Sequence, residues 1–410
     1  MKHNILGTTP GAPMPTSIDC ITLGLISEEH SKRLIQEFRR LPLEGLGLDV
    51  DPWKIRQESP LLFASCLLVG LHKIPKLCQS QLHDSLYTYA QKLLSETLLR
   101  TPLCMETVQA MLIFSHWHLA PAQYLTYIDS WLLAGVGILH GRLALDYAAS
   151  QDSAQETSEY GRKNSIQTWN NVCITHIRYS VGTGQCPMVN QDSLRRYNSG
   201  ARPWDRILIA EARLYSMIFQ TITTKLRTVS CELDGDEIER WRLNHSTLIG
   251  KFTVATHRYE LSADIALALD EDVSGSLLFA YSCSHLIVAR HLLKVITGAT
   301  PSAFEEIGWT SSEVDSRIEI QTNRALAHSL KILHACRDIF RAHGNATPAY
   351  TYMMCTTAAI TVMEFPERIA SLGNTGETRD LIEDIQQCIS DCGRKDVVFG
   401  WAANVMRASS

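Results

Sequence analysis

In the stretch SHWHLAP, residues 115–121, His116 and His118 stand on either side of Trp117. Paired histidines can bind a divalent metal or relay a proton, but only if both rings reach one point. Two residues apart on a helix, side chains diverge by about 200°, whereas on a strand they share a face. Upstream, Val108, Met111, Leu112 and Ser115 follow helical spacing. A third ligand is not evident nearby. The pair therefore reads as a helix end running into a loop that Pro121 closes, and not as a metal site.

Two acidic groups could do other chemistry. Asp49 and Asp51, in GLDVDPW, have the spacing that holds a divalent ion with a diphosphate. Asp270 and Asp272, in LDEDVSGS, precede an apolar helix. All-α prenyl-diphosphate cyclases use acidic clusters on facing helices, so these four residues define the alternative reading, a metal-dependent enzyme of that type. It requires all four to converge on one cavity. The plainer reading is that Asp49 and Asp51 sit in a polar loop and that Asp270 and Asp272 favour the positive end of a helix dipole. The glycine strings GVG (135–137) and GTG (182–184) do not follow a strand, as a phosphate cradle demands. No G-x-S-x-G, H-E-x-x-H or P-loop string occurs. The sequence thus points to no catalytic residue, no metal and no cofactor.

The elements that would position these residues are helical. Apolar residues recur with period 3.6 in segments near 28–40, 59–73, 79–100, 104–116, 121–149, 163–182, 204–229, 234–260, 273–297, 313–343, 347–365 and 377–407. Ser59-Pro60 is a helix start, because proline suits the first helical position. VGTGQCPMV (181–189) breaks a helix with two glycines and a proline. Residues 147–164 read as a solvated loop, and residues 297–313 as a loop ending in serine caps. The 121–149 segment interleaves Ala134, Gly135, Gly137 and Gly141 with large apolar residues. Each glycine costs roughly 1 kcal/mol of helix stability, so this helix is expected at the centre of a bundle, with another backbone packed close.

The chain has 410 residues, 45% hydrophobic and 20% charged, with a net charge of −5. That suits a sizeable core and argues against strong nucleic-acid binding by the whole surface. Its apolar runs stop short of the roughly 20 residues of a membrane span. Twelve scattered cysteines, none spaced C-x-x-C, read as reduced core residues of an intracellular protein. The expected organisation is a flexible leader over residues 1–25 and a single all-α helical domain over 26–410.

Several of these segments, taken in order, resemble the regulatory, or middle homology, domain of fungal binuclear zinc-cluster transcription factors. The family's Ser-Pro-Leu-Leu helix corresponds to residues 59–62, its Thr-Val-Gln-Ala helix to 107–110, and its Trp before a proline to Trp117 and Pro121. Its Asp-Ser-Trp helix corresponds to 129–131, with Ala144-Leu145-Asp146 at its end. In TWNNVCITHIRYSVGTGQCPMV, Thr168, Trp169, Ser180, Gly184, Pro187 and Met188 match without a gap. His176 and Ile177 stand where an Asp-Arg pair is usual, Gln185 replaces an arginine and Cys186 a proline. Residues 323–338 and 350–365 resemble the closing helices, so the likeness spans about 59–365. Such factors open with six cysteines around two zinc ions; here Cys20 alone precedes Cys66. The resemblance therefore implies a large helical regulatory bundle without its own zinc-cluster DNA contact.

It further implies a transcription regulator of the nucleus, controlling a metabolic gene set, secondary metabolism included. Its partners would be a small-molecule effector and other transcription factors or a second copy, with DNA met only indirectly and no membrane. The glycine-lined helix and the polar interruptions in apolar helices, Asn170, His176 and Arg178, motivate a responsive core, whose candidate effector residues are Trp131, Trp169, His176 and Arg178.

Overall fold

The computed structural model describes residues 18–41, 51, 53, 55–56, 59–78, 80–100, 103–121, 128–151, 159–195, 203–223, 266–300, 304, 308–371 and 375–391. Among them no strand occurs. The helices, in order, are α1 (Glu28–Arg39), α2 (Pro60–His72), α3 (Pro75–Cys78), α4 (Gln81–Thr97), α5 (Met105–His116), α6 (Ser130–Gln151) and α7 (Glu159–Thr183). There follow α8 (Pro203–Thr223), α9 (Ala266–Thr297), α10 (Ser311–His343), α11 (Ala349–Glu364), α12 (Pro366–Ser371) and α13 (Thr375–Asp391). The all-α expectation holds for the described residues. Residues 1–17 of the expected leader and the expected helix at 234–260 lie outside them; residues 18–25, expected to be flexible, instead form a turn in which Cys20 is buried and Asp19 accepts from Arg56 Nε at 3.1 Å.

The chain divides into two compact units. The first is residues 1–176 with 195–197, and the second is 177–194 with 198–410. Helix α7 supplies residues to both.

In the first unit the sequence starts its helices with local hydrogen bonds. Ser27 caps α1, its hydroxyl accepting from the His30 amide at 3.2 Å. Ser59 caps α2 over Pro60, as expected, accepting from the Leu62 amide at 3.4 Å. These bonds satisfy amides that have no partner within the helix. Helix α5 ends at His116, with Trp117 in extended conformation, so SHWHLAP is a helix end.

The central helix is not the one expected. All 13 residues of α2 are buried, as befits a segment apolar on every face. Helix α6 instead buries one face and leaves Leu132, Leu139 and Leu143 exposed. Gly137 and Gly141 admit side chains rather than a backbone. A Cβ on Gly137 would lie 3.2 Å from Val172 Cγ1, and one on Gly141 would lie 3.2 Å from Trp169 Cε3. The backbone-to-backbone approach is made by α2, where a Cβ on Gly70 would stand 2.0 Å from the carbonyl oxygen of Leu34. Only glycine lets α1 cross there.

The second unit is built on α9, α10 and α11. Leu286, Ala289, Leu292, Leu326, Leu333, Cys336, Cys355, Ala358 and Val362 are all buried, and α13 adds Leu381, Ile382 and Ile385. Helix α9 begins at Ala266 rather than near 273, so its acidic residues lie within the first turns instead of ahead of them. Helix α10 starts with a capping box: the Thr310 hydroxyl accepts from the Glu313 amide, and the Glu313 carboxylate accepts from the Thr310 amide at 2.8 Å. Threonine, not serine, makes this cap. Both ends of the expected loop at 147–164 are helical, because α6 runs to Gln151 and α7 begins at Glu159, and residues 152–158 lie outside the described residues. Alanine, glutamine and glutamate there are good helix formers, which the reading of a loop from polar composition overlooked.

Replacing Gly70 with alanine pushes a methyl group into a carbonyl that cannot rotate away. Gly70→Ala should destabilise the chain by about 3 kcal/mol, seen as an earlier chemical-denaturation midpoint, whereas alanine at Gly376, where the space is open, should leave it unmoved.

Candidate functional site

Helix α7 buries an unusual run of polar side chains: Gln167, Thr168, Asn170, Asn171, Thr175, His176 and Ser180. Buried polar groups must find partners or cost stability; Thr168, Asn170, Asn171 and His176 find them in the first unit, and the neighbouring Arg178 heads a polar cluster in the second.

In the first unit, the Gln109 amide of α5 donates to the Thr168 hydroxyl at 3.2 Å. Asn170 makes a reciprocal clamp on the segment after the helix. Its side-chain nitrogen donates to the Arg195 carbonyl at 3.0 Å, and its side-chain oxygen accepts from the Arg195 amide at 2.9 Å. The Arg195 guanidinium lies 6.0 Å over the buried Trp169 ring, the reach of a cation–π contact. Asn171 bonds back to the Gln167 carbonyl.

His176 is fully buried. Its Nδ1 donates to the Trp131 carbonyl at 3.0 Å, and its ring stacks on that of half-buried Trp131 at 5.4 Å and 25°. That bond fixes the tautomer with the proton on Nδ1. Burial drives the His176 pKa below its ordinary 6.5, and the bond to Trp131 only partly offsets it. The ring is therefore neutral in the folded protein at neutral pH.

The second unit's cluster surrounds Arg178. Its Nε and Nη2 donate to the two carboxylate oxygens of Glu211 on α8, each at 2.6 Å. The Glu211 side chain is 3% exposed and that of Arg178 15%. Burial opposes the guanidinium's charge, but the carboxylate and its hydrogen bonds outweigh that, and the net pKa rises. Tyr350 of α11 donates its hydroxyl to that of Tyr215 of α8 at 3.0 Å, and the Tyr179 ring meets Tyr350 edge-on at 6.0 Å. Burial lifts both tyrosines and the Cys283 thiol well above their ordinary values. The thiol is thus protonated and a poor nucleophile.

Of the four sequence-expected residues, the structure brings Trp131 and His176 together. Trp169 packs under Gly141 and Arg195, and Arg178 pairs in the other cluster. Sequence reasoning missed Glu211, Tyr215 and Tyr350. The hint for Glu211 was a lone acid amid the apolar run ILIAEARLY, residues 207–215. It also missed a cleft of about 720 Å³ in the second unit, lined by Asp315, Ile318, Glu319, Glu364, Phe365 and Arg368 among others.

The acids of the enzyme reading are only partly described. Asp51 is exposed and accepts from the Trp53 amide at 3.0 Å, a local turn. Asp49 and the side chains of Asp270 and Asp272 lie outside the described residues. His118 is exposed, and His116 packs against Trp117 at 4.6 Å. Among the described residues, no group of three or more His, Cys, Asp or Glu could hold a metal ion. Nor is any described helix long and apolar enough to cross a membrane. Cys20, Cys66, Cys173, Cys283, Cys336 and Cys355 are buried thiols outside any disulfide, as expected, while Cys104 and Cys186 are exposed.

Comparison with known proteins supplies the family. Residues 24–408 match the family described as the middle domain of the transcriptional activator of proteases prtT. The chain belongs to this family. It is 25% identical over 249 residues to the transcriptional activator of proteases prtT of Aspergillus fumigatus, an alignment covering 56% of this chain and 34% of that protein. It is 26% identical over 259 residues to the protein of that name from Aspergillus niger, covering 59% and 40%. With the one from Penicillium rubens it shares 22% over 240 residues, covering 56% and 37%. The alignments thus cover little more than a third of these relatives' length. No solved structure matches. The family is one of transcription activators, a regulator class and not an enzyme class, which sets aside the cyclase reading.

Two outcomes test the site. Breaking a buried ion pair leaves one charge uncompensated, so Arg178→Met or Glu211→Leu alone should each cost about 3 kcal/mol of stability in denaturant titrations. The lowered pKa of His176 makes the folded state reject a proton. Its contribution is complete above the ordinary 6.5 and is lost as pH falls through the lower folded value. Stability measured at about pH 5.5 should therefore fall below that at about pH 7.5, and the drop should shrink in His176→Gln.

Proposed function

We propose that this chain is the regulatory domain of a fungal transcription activator, working in the nucleus on genes for proteases. The single observation that carries this reading is the family match spanning residues 24–408. That span is also what supports residues 26–410 acting as one regulatory domain. The relatives' name specifies proteases, so protease genes replace the broader metabolic gene set expected from the family resemblance.

In this reading the helical domain itself does not contact DNA; it pairs with a second copy or with other transcription factors. Trp131, Trp169, His176 and Arg178 are the responsive residues, answering to a small-molecule effector or to a partner. Support comes from the run of buried polar groups on α7. Bonds of that kind are costly to break singly and are remade only in another complete arrangement. Such a helix suits a two-state element whose equilibrium a ligand shifts by binding one arrangement better.

The test is a fusion of the full chain to an unrelated DNA-binding domain, read by a reporter gene in fungal cells grown with and without external protein as nitrogen source. The fusion should change reporter output by at least about tenfold relative to the DNA-binding domain alone, and His176→Gln should alter the response to growth condition. An output equal to that of the DNA-binding domain alone under every condition would refute a regulatory role.

A further inference from the structure

The cleft of the second unit, about 720 Å³ in volume, falls within the roughly 300–1,000 Å³ of small-molecule sites. It is lined by the first turns of α10, by the end of α11 and by α12. Its charges do not balance. Glu319 pairs with Arg368, and Glu364 accepts from Nη1 and Nη2 of Arg290 at 2.8 and 3.0 Å. Asp315 and Glu367 also line the cleft, are exposed and, among the described residues, meet no cation. Four carboxylates thus face two guanidiniums.

A second feature is independent of charge. Thr322 lines the cleft yet is only 6% exposed. Thr297, Thr357 and Thr361 each donate their hydroxyl to the carbonyl one turn back, at 2.8, 2.9 and 2.8 Å. Among the described residues the Thr322 hydroxyl makes no such bond and has no other partner. Nor is that hydroxyl sealed in, so it opens on the cleft. A nearly buried hydroxyl that the chain leaves unbonded is a ready partner for whatever enters.

We propose that this cleft binds a small organic cation, a primary amine carried on a hydrocarbon chain. An ammonium has donors and no acceptor, which matches the Thr322 hydroxyl and the carboxylates of Asp315 and Glu367. The hydrocarbon matches Ile318, Phe365 and Pro366, all half-buried in the cleft lining, and an aromatic ring is the apolar surface that best tolerates a cation. A bare metal ion fits worse, because among the described residues no group of three ligands could hold one. An anion would meet the surplus of negative charge. The site shares no residue with Trp131, Trp169, His176 or Arg178, so it goes beyond the proposed function and stands without it.

The test is calorimetric titration of the full chain with 1,5-diaminopentane and, separately, with a lysyl-alanine dipeptide, which present the amine free and as a peptide side chain. At least one should saturate with a Kd of about 1 mM or tighter, and the tighter of the two assigns the source of the amine. Pentane-1,5-diol and glutarate, of similar length without the cation, should not bind. Asp315→Asn with Glu367→Gln should weaken binding at least about tenfold, and Thr322→Val at least about threefold. Both variants should keep the wild-type circular dichroism and melting midpoint, because the acids are exposed and the hydroxyl has no partner in the chain. Asp192→Asn, at an exposed acid that does not line the cleft, should bind as wild type does. Binding of neither amine, binding that either set of cleft substitutions leaves intact, equal weakening by Asp192→Asn, or equal binding of the diol would overturn the proposal.

Discussion

A guanidinium taken out of water must be met by a carboxylate, fully and in the right plane. Arg178 and Glu211 meet that demand with two parallel bonds, and much of the second unit's arrangement follows. The pair fixes the end of α7 against α8, and Tyr215, one turn beyond Glu211, is thereby placed to accept from Tyr350 of α11. In a low dielectric, each of these bonds is stronger than it would be in water, and each unmade bond costs more. The pair adds little net stability against an apolar substitute of the same shape. Its effect is to penalise every arrangement in which only one partner is buried.

The first unit obeys the same rule with neutral groups. Asn170 satisfies both the amide and the carbonyl of Arg195, so the chain after α7 returns to the helix it has just left. His176 gives its one proton to the Trp131 carbonyl and stays neutral because burial makes charge expensive. A helix lined in this way has few intermediate positions. That is the physical content of the regulatory reading: a packed polar seam is made or unmade as a whole, and a ligand or partner that favours one state shifts the population.

Much of the fold was legible in the sequence because helix punctuation is local. The Ser59-Pro60 start, the end at Trp117 and the break after Thr183 all rest on residues within a turn of each other. The identity of the central helix was not legible. Residues 60–72 and 130–145 are both apolar on every side, and hydropathy cannot say which is enclosed and which turns a leucine face to solvent. Gly137 and Gly141 of α6 misled for a related reason: their empty volume takes the side chains of Val172 and Trp169, which no local pattern specifies. His176 and Arg178 stood out as polar exceptions in apolar segments, but the pairing of neither was legible, since Glu211 lies 33 residues from Arg178 and Trp131 lies 45 from His176. Long-range pairing is a property of the packed chain.

The most direct test of the polar seam as the regulatory element is a double-mutant cycle on Arg178 and Glu211, read for both stability and regulated reporter output. The account predicts that Arg178→Met with Glu211→Leu restores most of the stability each single change removes, because no charge is left buried alone, yet leaves the reporter locked at one level. A double variant that is as stable as wild type and still responds normally would contradict it.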